Sequence, residues 1–154
     1  MPNLFKPELV KPEVVEEENK EVGIDPEPLN NETTYSDIEK WDQMDLDTDL
    51  LRGIYAYGYE NPSPIQKKAI QPMKDGRDLI AQAQSGTGKT ATFTIGALMT
   101  VDTKVNSVQV ICISPTRELS MQTATVFKGL SEFMENIKVE TLLGGVHVNE
   151  HIRM

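Results

Sequence analysis

Ala83-Gln84-Ser85-Gly86-Thr87-Gly88-Lys89-Thr90 lies between an apolar run that ends at Ala81 and a helix-like run that starts at Lys89. Gly86 and Gly88 let successive backbone N–H groups turn inward on an anion without a Cβ clash. The N–H groups that open the following helix complete the cradle. Lys89 supplies a point charge for β and γ phosphates, and the Thr90 hydroxyl supplies a ligand for a Mg²⁺ ion that bridges them. These types at this spacing suit a nucleoside triphosphate with Mg²⁺, and Lys89 and Thr90 are the candidate catalytic residues. The common pattern opens with Gly where this chain has Ala83, another small residue. A plain turn between strand and helix is the competing reading, and the strand-loop-helix context favours the phosphate loop.

The 154 residues suffice for one domain plus a tail. The net charge of −9 is unevenly spread, because residues 1–40 hold four lysines and eleven acidic residues. The remainder is close to neutral, so nucleic-acid binding must rest on local placement of basic groups rather than on bulk charge. Composition neither supports nor excludes RNA. The single cysteine, Cys112, sits in Val108-Gln109-Val110-Ile111-Cys112-Ile113 and is expected to be buried as a small apolar residue. No disulfide framework is available. No stretch approaches the ~18 consecutive apolar residues that span a bilayer, and the expectation is a soluble, intracellular, cytoplasmic protein.

Residues 1–40 carry five of the nine prolines and the run Glu16-Glu17-Glu18. They hold too little apolar surface to offset the entropy of ordering, and are read as a disordered acidic tail. Order is expected from Trp41, with a helix between Leu46 and Tyr57 that turns Leu46, Leu50, Ile54 and Tyr57 inward. Asp47 or Thr48 caps it and Gly58 ends it. Ser63-Pro64 opens a second helix that runs to Lys74. Strands are expected over 78–82, 108–114 and 139–143, and further helices over 89–99 and 116–134. The last of these points Leu119, Val126, Leu130 and Phe133 to one side. Strand, helix, strand, helix, strand is the order of a parallel sheet with crossover helices. His147 and His151, with Glu150 between them, could share a helix face, but no third ligand is evident and a polar face is preferred to a metal site.

Taken together with Gly58-Tyr59-Glu60-Asn61-Pro62-Ser63-Pro64-Ile65-Gln66 and Pro115-Thr116-Arg117-Glu118-Leu119, the phosphate loop closely resembles that of the DEAD-box RNA helicases, in particular their translation-initiation-factor-four-A-like branch. An aromatic, Trp41, 17 residues before Gly58, and the doublet Gly144-Gly145 match as well. The family's own loop begins with Ala. The resemblance implies an α/β phosphate-loop NTPase fold, a RecA-like parallel sheet of which residues 41–154 form an incomplete first lobe. It implies that Gln66 reads the adenine edge, since an amide can accept from N6 and donate to N7. It implies that Trp41 packs on the base, with Tyr59 beside it, and that residues 83–90 hold the phosphates and Mg²⁺ of ATP. Pro115, Thr116, Arg117, Gly144 and Gly145 are implied to hold the backbone of single-stranded RNA without regard to sequence. Protein partners of the initiation-factor type are also implied. Without the resemblance, Gln66 reads as the return half of a capping box with Ser63, Trp41 as a core residue, and Thr116 as a helix cap.

The resemblance ends with the chain at Met154, before any Asp-Glu-Ala-Asp, Ser-Ala-Thr motif or second lobe with its arginine fingers. The reading is the front part of an ATP-dependent RNA helicase, a hydrolase acting on ATP that separates strands locally. A truncated, non-catalytic nucleotide or RNA binder that competes for partners is the alternative, and an unrelated phosphate-loop kinase or ATPase would show a guanine preference. Phosphoryl transfer depends on positioned carboxylates and cations beyond the loop itself. The purified 154-residue chain is therefore expected to release no phosphate from ATP above the blank, with or without RNA. RNA-stimulated turnover in a phosphate-release assay would contradict this.

Overall fold

The computed structural model describes residues 38–145. Residues 1–37 of the acidic segment, together with His147, Glu150 and His151, lie outside the described residues. Four helices occur among the described residues, α1 (Thr48–Ala56), α2 (Pro64–Lys74), α3 (Lys89–Met99) and α4 (Arg117–Leu130), preceded by a short 3₁₀ turn at Trp41–Gln43. No helix among them is long and apolar enough to cross a membrane.

Each helix starts where its local chemistry directs. The Asp47 carboxylate accepts the Asp49 N–H at 2.9 Å and caps α1. Pro64 opens α2, where a missing N–H costs nothing. Gly88, left-handed at φ 92°, turns the chain into α3. The Thr116 hydroxyl accepts the Leu119 N–H at 3.2 Å to start α4. The α4 ladder stops at Leu130, short of 134, where the Ser131 hydroxyl donates back to the Phe127 carbonyl.

The helices pack on one core. α2 lies along α3, α3 meets α4, and α1 touches both α3 and α4. Trp41, Leu50, Ile54, Ile70, Ile95 and Leu130 are fully buried there, each contributing about 1.5–3 kcal/mol. Two inward positions expected from helical spacing turn out differently. Leu119 is exposed, and Tyr57 is the C-terminal cap of α1 with its ring laid over Gly129 of α4. Gly53 lets the backbones of α1 and α4 touch, since a Cβ there would stand 2.0 Å from the Leu130 carbonyl oxygen.

The entry to α1 is tied down by polar contacts. The Lys74 ammonium donates to the Asp45 carbonyl at 2.9 Å and also to its carboxylate, and the Tyr55 hydroxyl donates to the Asp42 carboxylate. The hydrogen bond from Lys74, and then its charge, hold the Asp45 carboxyl below the ordinary aspartate range. A carboxyl depressed in the folded state stabilises it above the unfolded pKa, and that stabilisation fades as pH falls through the folded pKa. Because Asp45 is almost wholly exposed, the effect is small.

The three expected strands are not formed as paired strands. Segments 78–82, 108–114 and 139–143 carry no ladder, and no strand is found among the described residues. Val110, Ile137 and Val139 pack against the helical core, whereas Ile80, Ile111, Ile113 and Leu142 are exposed. Cys112, expected to be buried, is exposed with them. A parallel strand is buried only when neighbours flank it and helices cover both faces. Among the described residues, Val110 is the one apolar side chain of 108–114 that packs on the helical core.

Gly53→Ala is expected to lower stability by about 1–3 kcal/mol, the usual cost of overpacking, because backbone cannot yield. Gly129→Ala should cost less, since it meets the mobile ring of Tyr57. Urea unfolding followed by circular dichroism measures both.

Candidate functional site

The phosphate loop stands at the head of α3 as the residues predict. Gly86 and Gly88 are both left-handed, at φ 80° and 92°, a conformation that L side chains rarely adopt. Gly88 is constrained twice, because a Cβ there would lie 2.7 Å from Gln66 Nε2. Lys89 curls into the loop and donates to the carbonyls of Ala83 at 2.7 Å and Gln84 at 2.6 Å. The Thr87 hydroxyl donates to the same Gln84 carbonyl at 2.8 Å. Gln84, Ser85 and Gly86 form the exposed rim, while Thr87, Gly88, Lys89 and Thr90 are half-buried behind it.

Thr90 is the second residue of α3, and its hydroxyl makes no hydrogen bond among the described residues. One free hydroxyl beside a phosphate cradle fits Mg²⁺, which keeps several waters and takes its other ligands from phosphate oxygens. No cluster of three or more His, Cys, Asp or Glu side chains that could hold a metal alone is found among the described residues. Thr92, which sequence spacing did not single out, donates its hydroxyl to the Gly88 carbonyl at 2.9 Å. A hydroxyl four residues after the loop's last glycine is the signal for that back-bond.

Gln66 joins the Gly58–Gln66 stretch to the loop. It is buried, its Oε1 accepts the Ser63 N–H at 2.6 Å, and its Nε2 donates to the Gly88 carbonyl at 3.5 Å. The capping role and a loop contact are thus both served by one amide. The Ser63 hydroxyl beside it is buried without a partner.

Trp41 is fully buried, and its indole N–H donates to the Tyr59 carbonyl at 3.0 Å. Here its ring lies within the helical core. Burial arises because the 3₁₀ turn drops the ring into the helical core. Tyr59 is only half-buried, with its ring 5.3 Å from that of Tyr57. Burial, and then the neighbouring Tyr57, push the Tyr59 phenol up from its ordinary value.

The second set of candidate residues also comes together. Arg117 Nη1 donates to the Gly144 carbonyl at 3.0 Å, and a Cβ on Gly145, at φ 83°, would lie 3.4 Å from the same nitrogen. Pro115, Thr116, Arg117, Gly144 and Gly145 are all exposed. An exposed guanidinium, a doublet of glycines and the N-terminus of a 14-residue helix share one corner, an arrangement suited to backbone phosphates.

A glycine-turned loop that cages a lysine at a helix head is the geometry of a phosphate loop, and the fold is RecA-like. The DEAD/DEAH box helicase family profile matches residues 63–154, and the chain belongs to that family. The ATP-dependent RNA helicase eIF4A of Coccidioides immitis is 45% identical over 137 residues, which cover 88% of this chain and 34% of that protein. A DEAD box protein from the hyperthermophile Methanococcus jannaschii matches in structure with a TM-score of 0.70 and 31% identity, over 75% of this chain and 31% of that one. Dbp5 of S. cerevisiae, solved bound to RNA and ADP BeF3, matches with a TM-score of 0.62 and 36% identity, over 69% of this chain and 29% of that one. The chain spans about a third of the length of these relatives.

Gly88→Ala is expected to cost about 1–2 kcal/mol for the left-handed backbone alone, plus the clash with Gln66. Gln66→Ala loses a cap, about 0.5–2 kcal/mol, but removes the clashing amide. The double variant should therefore be more stable than the sum of the singles by about 0.5–3 kcal/mol, measured as a double-mutant cycle in urea. Strict additivity would show that the two groups do not meet.

Proposed function

We propose that this chain provides the nucleotide-binding half of the first lobe, and part of the RNA grip, of an ATP-dependent RNA helicase. The observation that carries the reading is the single amide of Gln66 held between Ser63 and Gly88. It makes the segment that would read a base continuous with the loop that would hold phosphates. Gly86, Gly88 and the α3 N–H groups surround the β and γ phosphates. Lys89 exchanges its two loop carbonyls for phosphate oxygens, and Thr90 holds Mg²⁺. Mg²⁺ supplies charge neutralisation between the phosphates when bound.

Tyr59, half-buried in the Gly58–Gln66 stretch, takes the stacking role on adenine, while Trp41 fixes the Tyr59 backbone through its hydrogen bond to the Tyr59 carbonyl. Arg117 trades the Gly144 carbonyl for an RNA phosphate, and the glycines allow the strand to approach. Dbp5, solved with RNA and ADP BeF3, supports pairing these two ligands on this fold. Unwinding and sustained hydrolysis belong to the full-length protein that such relatives represent.

Trp41 is the only tryptophan and lies one hydrogen bond from Tyr59, so its fluorescence tests the assignment. Mg-ADP should give a saturable change and Mg-GDP a much weaker one. Tyr59→Ala should weaken ADP binding by roughly tenfold, equivalent to one aromatic contact of about 1–1.5 kcal/mol, and Gln66→Ala should erode the preference for ADP. Equal binding of ADP and GDP by the folded wild-type chain would overturn the adenine assignment.

A further inference from the structure

Three donors converge on one backbone oxygen where the phosphate loop runs into α3. The Gly88 carbonyl accepts the Thr92 N–H at 2.9 Å as an ordinary helical bond, the Thr92 hydroxyl also at 2.9 Å, and Gln66 Nε2 at 3.5 Å. A carbonyl oxygen has two lone pairs. The two groups of Thr92 stand at ordinary hydrogen-bond length and fill them, which leaves the Gln66 amide as a long third donor outside the usual range. Thr92 and Gln66 are each only 3% exposed, so the competition runs among protein groups and not against bulk water. The other end of the amide is held firmly. Gln66 Oε1 accepts the Ser63 N–H at 2.6 Å, which fixes the orientation of the amide, since a flipped amide would set its NH₂ against that N–H. Oε1 keeps a second lone pair, and Nε2 is the loosely held end.

We propose, on the reading of Gln66 as the adenine-facing residue, that Thr92 is a positioning residue for base recognition. Its hydroxyl occupies the Gly88 carbonyl and so leaves Gln66 Nε2 free to turn to N7 of the base. When the amide departs, the carbonyl keeps both of its close partners, and no polar group is stranded. Without the hydroxyl, Nε2 becomes the best-placed second partner of that carbonyl, and N7 has to displace it. Thr92 touches no nucleotide in this arrangement and acts only through Gln66. A hydroxyl that merely bonded back to its own helix would have no bearing on which atoms of a base are recognised.

Isothermal titration calorimetry of the 154-residue chain with Mg-ADP, Mg-GDP and Mg-7-deaza-ADP, in which a C–H replaces N7, tests this. The wild-type chain should bind ADP more tightly than 7-deaza-ADP by roughly three- to tenfold, the equivalent of one hydrogen bond. Thr92→Val should bring ADP down to the affinity of 7-deaza-ADP and leave 7-deaza-ADP itself unmoved. Thr92→Ser, which keeps the hydroxyl, should restore the gap, and in Gln66→Ala the loss of the hydroxyl should change neither affinity. Wild-type ADP affinity in Thr92→Val would overturn the proposal. So would an equal loss of ADP and 7-deaza-ADP binding, the mark of a purely structural role. If Thr92→Val loses its helical circular dichroism, Thr92→Ala, which also lacks the hydroxyl and favours helix, takes its place. A wild-type chain that prefers ADP to GDP yet binds 7-deaza-ADP as well as ADP would keep the adenine reading and overturn the role of Thr92. No saturable binding of ADP, or equal affinity for all three nucleotides, would overturn the adenine reading itself and the role of Thr92 with it.

Discussion

One amide sets the geometry on which the candidate site depends. Gln66 and Gly88 are 22 residues apart, on different elements, yet the Gln66 side chain reaches from the cap of α2 to the last turn of the phosphate loop. Both ends of that reach are backbone groups, so neither can swing away without moving its element. Gly88 is left-handed where α3 starts, a conformation that favours glycine, and a Cβ there would also press on the amide. The packing of α2 along α3 then holds the two termini in register. The position of the loop relative to the Gly58–Gln66 stretch follows from that amide together with helix packing, and not from the loop's own sequence alone.

The helical layer and the extended segments are unequally satisfied. The helices close on a core of Trp41, Leu50, Ile54, Ile70, Ile95 and Leu130, with every start capped or preset by its own residues. The segments between them lie with one side on this core, through Val110 and Val139, and the other side bare. Strands draw their stability from neighbours across a ladder, whereas helices carry their hydrogen bonds within themselves. The structures the chain resembles are RecA-like domains of the family to which it belongs.

Legibility in the sequence follows the same division. α2 and α3 were readable to the residue, since Ser63-Pro64 and Gly88-Lys89 are strong local start signals and Asp75-Gly76 is a stop. α4 was expected to continue through Met134, because apolar spacing persists past the point where Ser131 turns its hydroxyl back on the ladder. Leu119 looked like a core position and is exposed, because the first turn of α4 extends beyond the helix that packs on it. Cys112 was misplaced for a related reason. An apolar run announces that a segment can be buried, but burial requires a second layer, and no local pattern reports whether one is present. Trp41 was found as an ordered landmark, while its orientation toward the core rather than a ligand depends on the 3₁₀ turn and the Tyr59 carbonyl. The meeting of Arg117 with Gly144 came from family resemblance, as their separation of 27 residues leaves no local trace.

The cage around Lys89 bears on what the loop can discriminate. Two neutral carbonyls take two of the three ammonium donors at 2.7 and 2.6 Å, so an incoming oxygen of similar polarity gains little by displacing them. Only an oxygen carrying more negative charge improves on that arrangement, because charge-assisted hydrogen bonds are roughly twice as strong as neutral ones. The lysine thus acts as a threshold. On the proposed nucleotide reading, a nucleoside or sugar hydroxyl would leave the loop folded on itself, whereas a polyphosphate would draw the lysine outward. Affinity at such a loop climbs with the number of phosphates on the ligand rather than with the size of its base.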